Sequence, residues 1–177
     1  MERTVFGTSV RGASHIRLDQ PCQDSSTIRN REFSYRNKKN AKNKFYAQLD
    51  EQIQILSVAD GHGSEKCPYS RTGSQIAVNV FCDIMAEFCC KYSNNMEALH
   101  TYLNREADTR IAKAIDLEWK KRVMNHHTLL KRDKAVLSDG RINKNAIYEL
   151  YGTTLLGIVI TCEFIFAFQL GDGEIIY

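Results

Sequence analysis

No apolar run in the 177 residues approaches the roughly 20 needed to span a bilayer, and the opening Met1-Glu2-Arg3-Thr4 lacks the apolar stretch of a signal peptide. A soluble, cytoplasmic protein is the expectation. Charge of one sign is also scarce, with 24 Lys and Arg against 21 Asp and Glu and a formal net charge of +3. Nucleic-acid binders cluster basic residues far more heavily, so neither nucleic acid nor membrane is expected as a partner. No C-x-x-C spacing occurs among Cys22, Cys67, Cys82, Cys89, Cys90 and Cys162, which disfavours a zinc ribbon or dithiol motif. Without a secretion signal, reduced thiols are expected, and those in helical or strand runs, Cys162 included, read as core. Internal repeats and low-complexity segments are missing as well.

What is there suits one globular domain over residues 1–177, because 43% hydrophobic residues suffice for a single core. Val5–Val10 has the β-branched and aromatic character of a strand. Arg29 to Lys44 is basic and Asn-rich and reads as a long hairpin connection with a solvated tip. Ile53–Ala59 is a strand that enters the core and ends at Asp60-Gly61-His62-Gly63. Apolar residues from Ile76 to Phe88 recur at three and four, predicting a helix from Thr72 to near Tyr92, and a second helical region runs from Met96 to about Leu130. A polar connection follows from Lys131 to Lys144. Leu155–Ile160 and Phe164–Leu170 then form a hairpin joined by Thr161-Cys162-Glu163, and Glu174–Tyr177 begins another strand. Strands, then helices, then strands, without βαβ alternation, predict an α+β fold with mainly antiparallel sheets.

Chemistry concentrates at the strand end. A carboxylate beside a free backbone carbonyl is a ligand set that Mg2+ or Mn2+ prefers; Asp60 supplies the first and Gly61 the second. The two glycines around His62 permit a tight turn with positive backbone dihedrals. Asp24 ends another loop among Gln23, Ser25 and Ser26, which can hold metal-bound water. Each Asp alone also reads as a turn former or helix cap.

Together, Ser9-Val10-Arg11-Gly12-Ala13-Ser14-His15, Pro21-Cys22-Gln23-Asp24-Ser25, Val58-Ala59-Asp60-Gly61-His62-Gly63, Gly152-Thr153-Thr154 and Leu170-Gly171-Asp172-Gly173 resemble the protein phosphatase 2C-like family, especially its bacterial branch. The blocks follow the family's order across the whole chain, with D-G-H-G the most specific. The resemblance implies an antiparallel β-sandwich flanked by helices, in α-β-β-α layers, with two Mn2+ or Mg2+ ions where the sheet ends converge. It implies Asp60 as bridging ligand, Gly61 as carbonyl ligand, and Asp24 acting directly or through water. A water activated by the two cations would attack a phosphoserine or phosphothreonine in line. His62 is then either the proton donor to the leaving alkoxide or a hydrogen-bonded turn residue.

Two departures accompany the match. The family's phosphate-gripping Arg has no counterpart near Asp19, leaving Arg17, or Arg11 or His15, to stand in, and Arg17 reads equally as a surface salt bridge. The later D-G and D-N blocks, which carry further metal acids, are not found, and Asp172 reads as a structural turn. The chain is therefore expected to be the N-terminal part of a metal-dependent serine/threonine phosphatase, an incomplete domain inactive or weakly active alone, and either a fragment of a longer protein or a chain that dimerises or swaps strands to cover open edges. A pseudophosphatase or phosphoprotein-binding module is the alternative, and an unrelated α+β binding domain the third reading.

Overall fold

Short β-branched runs pair where the chain can return on itself. The computed structural model describes residues 5–19, 21–30, 32–36, 44–49, 52–130 and 141–176. In it β1 (Ser25–Asn30), β4 (Gln54–Ala59), β5 (Leu155–Ile160) and β6 (Ile165–Leu170) form one antiparallel sheet in the order β1-β4-β5-β6. Strands β2 (Glu32–Arg36) and β3 (Lys44–Gln48) make a separate antiparallel hairpin. The connection expected from Arg29 to Lys44 is corrected, since Arg29 and Asn30 end β1, residues 32–36 form β2 and Lys44 begins β3; residues 37–43 between those strands, and 131–140 of the expected polar connection, lie outside the described residues.

The helices are α1 (Ala13–Arg17), α2 (Ser70–Lys91), α3 (Met96–Glu106), α4 (Ala112–Leu129) and α5 (Lys144–Glu149), with a π-helical turn at Ala107–Ile111 joining α3 to α4. The predicted helices are thus present, the second broken by that turn. Asn95 caps α3 by accepting from the Ala98 amide at 2.9 Å, and Asn143 caps α5 by accepting from Ala146 at 3.2 Å. Helix α5 has no counterpart in the sequence reading; its six residues are too few for a periodic stripe.

Helix α2 lies against β1, β4 and β5. Its Val78, Phe81 and Met85 meet Ile55 and Val159 in the core, all essentially fully buried. Burying one such side chain contributes roughly 1.5–3 kcal/mol. The close approach depends on Gly157: a Cβ there would lie 2.2 Å from Phe81 Cζ, so the Phe81 ring sits directly on the β5 backbone. Phe168 of β6 flanks the same ring at 5.8 Å between centroids. A smaller cluster of Val123, Ile147 and Tyr151 joins α4 to α5.

The α+β class is observed, as a four-stranded antiparallel sheet carrying helices. Three further local expectations are corrected. Val5–Val10 forms no strand: extended backbone becomes a strand only with a ladder partner, and Gly7 instead lies over Ile28, where a Cβ would sit 3.6 Å from its Cδ1. Glu174–Ile176 likewise has no ladder partner among the described residues. Cys162 is exposed, because it falls in the β5–β6 turn that Thr161 closes by accepting from the Phe164 amide at 2.9 Å. Among the described residues no helix is long and apolar enough to cross a membrane.

Candidate metal centre

Register brings the two acids together. Ser25, the first residue of β1, pairs with Ala59, the last of β4, so Asp24 and Asp60 leave the same sheet end side by side. Their side chains lie close enough for Asp24 to act on Asp60 through both hydrogen bonding and charge. Partial burial, the Asp24 hydrogen bond and the Asp24 charge, in that order, raise the pKa of Asp60 above its ordinary 3.8, against a lowering pull from His62; Asp172 adds a last, smaller push. Two carboxylates in contact repel unless a proton or a cation lies between them. A cation placed between the two would relieve that repulsion.

The Asp60 backbone is held rigidly. Its carbonyl accepts from the Thr154 amide and the Thr153 hydroxyl, each at 2.9 Å, and its amide donates to Thr154 Oγ1 at 3.0 Å. Gly61 forms an isolated antiparallel bridge with Thr153. The bonds of that bridge run from the His62 amide to the Gly152 carbonyl, at 3.0 Å, and from Thr154 to Asp60, so the Gly61 carbonyl faces away and takes part in neither. Gly61 itself is buried, and a Cβ on it would meet the Gln23 carbonyl oxygen at 2.7 Å. The glycine is required by close approach: neither Gly61 nor Gly63 has the positive φ expected of them, which among the described glycines is found at Gly171, with φ 106°.

On the β1 side, Ser74 of α2 donates to the Gln23 carbonyl and lies 2.9 Å from the Ser25 hydroxyl, pinning the residues on both sides of Asp24. Ser74 is fully buried. Sequence reasoning passed over it, as it passed over Thr153 and Thr154 as individual residues; the available signal was a hydroxyl within the apolar stripe of α2. Gln23 Oε1 is buried without a hydrogen-bond partner among the described residues, beside Gly63, where a Cβ would sit 3.0 Å from it. An orphaned acceptor of this kind suits a metal-bound water.

The remaining candidates are placed as follows. His62 is exposed, with no side-chain hydrogen bond among the described residues. His15 of α1 reaches the corner, its Nε2 4.0 Å from the Cβ position of Gly63. Arg17 ends α1, exposed and without an ion pair among the described residues, while Arg11 pairs with Asp19 at 3.7 Å. Asp172 occupies a bend after β6. No three His, Cys, Asp or Glu side chains among the described residues draw close enough to hold a metal by themselves. The residues present fit one hard cation through Asp24, Asp60 and the Gly61 carbonyl. They do not furnish a full second site.

An α+β domain whose antiparallel sheet ends in paired acids beside a free carbonyl has the makings of a hydrolytic enzyme that uses a hard cation. Residues 11–177 match the family model for protein phosphatase 2C, and the chain belongs to that family. Its domains are phosphatases that generally depend on Mn2+ or Mg2+. No significant match is found to a curated protein or to a solved structure.

Proposed function

We propose that this chain carries the Asp24–Asp60–Gly61 corner of a metal-dependent protein serine/threonine phosphatase. The observation that carries the reading is the contact between the Asp24 and Asp60 carboxylates at one sheet end, with its upward effect on Asp60. In this reading Asp60 and Asp24 hold Mn2+ or Mg2+, with the Gly61 carbonyl completing the near side. The cations, two in a complete site, would supply an activated water and neutralise phosphate charge. Thr153 and Thr154 keep the Asp60 main chain from moving as charge changes around it. His62, exposed and free of side-chain hydrogen bonds among the described residues, is available to give a proton to the departing serine or threonine oxygen. Arg17 is proposed to grip phosphate; its helix reaches the corner through His15.

Two acids hold an ion more weakly than the four or more oxygen ligands a hard cation takes, so slow turnover is expected of this chain. Hydrolysis of p-nitrophenyl phosphate should be weak, should rise with Mn2+, and should fall about a hundredfold or more in Asp60→Ala, beyond the loss typical of outer-shell residues. Metal-independent hydrolysis, or hydrolysis that survives Asp60→Ala, would contradict the reading. The scarcity of acids favours one second reading, a phosphoprotein-binding module. Tight binding of a phosphothreonine peptide with no turnover in Mn2+ would select it.

A further inference from the structure

Beside the metal corner lies a cavity of about 480 Å3, between β5–β6 on one side and the π-helical turn with α4 on the other. Its size falls within the range of small-molecule sites, roughly 300–1,000 Å3. Buried Ala77, Ile115 and Leu155 line it together with the half-buried rings of Trp119 and Phe168. Both rings are held in place. The Trp119 indole N–H donates to the Gly73 carbonyl at 3.1 Å, and Phe168 rests against Phe81, itself seated on Gly157. The polar groups around the cavity are already provided for. Asp108, Lys113 and Asp116 are exposed to water at its rim. Further in, the Thr153 hydroxyl donates to the Asp60 carbonyl at 2.9 Å, and the Thr154 hydroxyl accepts from the Asp60 amide at 3.0 Å. Water in such a space finds few hydrogen-bonding partners, and apolar cavities of this kind stay dry and take up hydrocarbons.

We infer that this cavity binds a small neutral aromatic compound, its ring against Trp119 and Phe168. A charged or strongly polar ligand would lose its hydration there without recovering it, because the hydroxyls inside are committed to Asp60. An aromatic ring gains over an aliphatic one from offset or edge-on contacts with Trp119 and Phe168. With those rings fixed beforehand, little ordering of the protein opposes binding. The ligand would lie against the Thr153–Thr154 segment that fixes Asp60, but its binding stands or falls independently of any cation there.

The test uses fluorobenzene as probe, followed by its fluorine NMR signal and by the fluorescence of Trp119 excited at long wavelength, where the probe does not absorb. Trp119 is the single tryptophan of the chain, so its emission reports on the cavity directly. Saturable binding that shifts both signals is expected. Fluorocyclohexane should bind about twofold to tenfold more weakly, for want of aromatic contacts. For 4-fluorobenzoate and 4-fluorobenzylamine the loss should be about tenfold or more, since each would bury an unpaired charge. Ala112 lines the cavity half-buried, so Ala112→Leu should weaken binding several-fold and Ala112→Phe should abolish it. Three results would each overturn the inference: no saturable binding by the wild-type chain, binding of fluorocyclohexane or a charged analogue as tight as that of fluorobenzene, or undiminished binding by Ala112→Leu. Leucine is a good helix former, so the test holds even if Ala112→Phe does not fold.

Discussion

Asp60 sits where its carboxylate is least comfortable without a partner. An acid whose pKa is raised in the folded state binds its proton more tightly folded than unfolded. Its contribution to stability is therefore complete below the ordinary value of 3.8 and is lost as pH rises through the raised one. In buffer free of divalent ions, Asp60→Asn should raise the melting temperature at pH 7 by about 1–3 °C. The gain should vanish near pH 3.5, as thermal unfolding across a pH series would show; a variant less stable than wild type at pH 7 would mean that the Asp24–Asp60 contact is not repulsive. Asp24, Asp60 and Gly61 could be singled out as candidates because D-G-H-G and Q-D are local strings, and the fold brings the two acids to one sheet end. Ser74 and Gln23 Oε1 could not be, because their importance lies in which chain segment the fold brings opposite them.

At the scale of elements, periodicity predicted α2, β4, β5 and β6 because each has enough residues to show a pattern and a face to bury. It could not show that Val5–Val10 would find no ladder partner, since pairing is decided by segments far away in sequence. Nor could it foresee the π-helical turn, a single extra residue inside an otherwise continuous helical pattern. The seat of α2 on the sheet depends on the bare backbone of Gly157. Gly157→Ala should destabilise by about 1–3 kcal/mol, the cost of forcing a methyl group into a filled core, with urea unfolding as the measure. A loss of less than half a kcal/mol, by the same overpacking estimate, would show that Phe81 can move aside. A polar tie reinforces the seat: Arg122 of α4 binds Asp83 of α2 at 3.0 Å and Glu118 at 3.2 Å, while Arg29 of β1 reaches Asp83 at 3.5 Å. Burial alone would push Glu118 up, but hydrogen bonds from Lys121 and Arg122 outweigh it and hold the carboxyl below its ordinary range.

For the molecule as a whole, the sheet face opposite α2 is the apolar surface that bears on behaviour in solution. Register places Leu56, Val58, Leu156, Ile158 and Ile165 on that face, with Val58 47% and Ile165 63% exposed. Apolar area so arranged favours association. Self-association at micromolar concentration, relieved by Val58→Lys together with Ile165→Lys, is the expected result of size-exclusion chromatography with light scattering; a wild-type monomer at all concentrations would refute it. The proposed metal chemistry of the domain rests on its acid corner, and cation binding tests that most directly. Titration with Mn2+, following the loss of the free-ion paramagnetic resonance signal, should show one weakly bound ion per chain, lost in both Asp24→Asn and Asp60→Asn. Undiminished binding by either variant, or no binding by the wild-type chain, would contradict a metal centre at Asp24, Asp60 and Gly61.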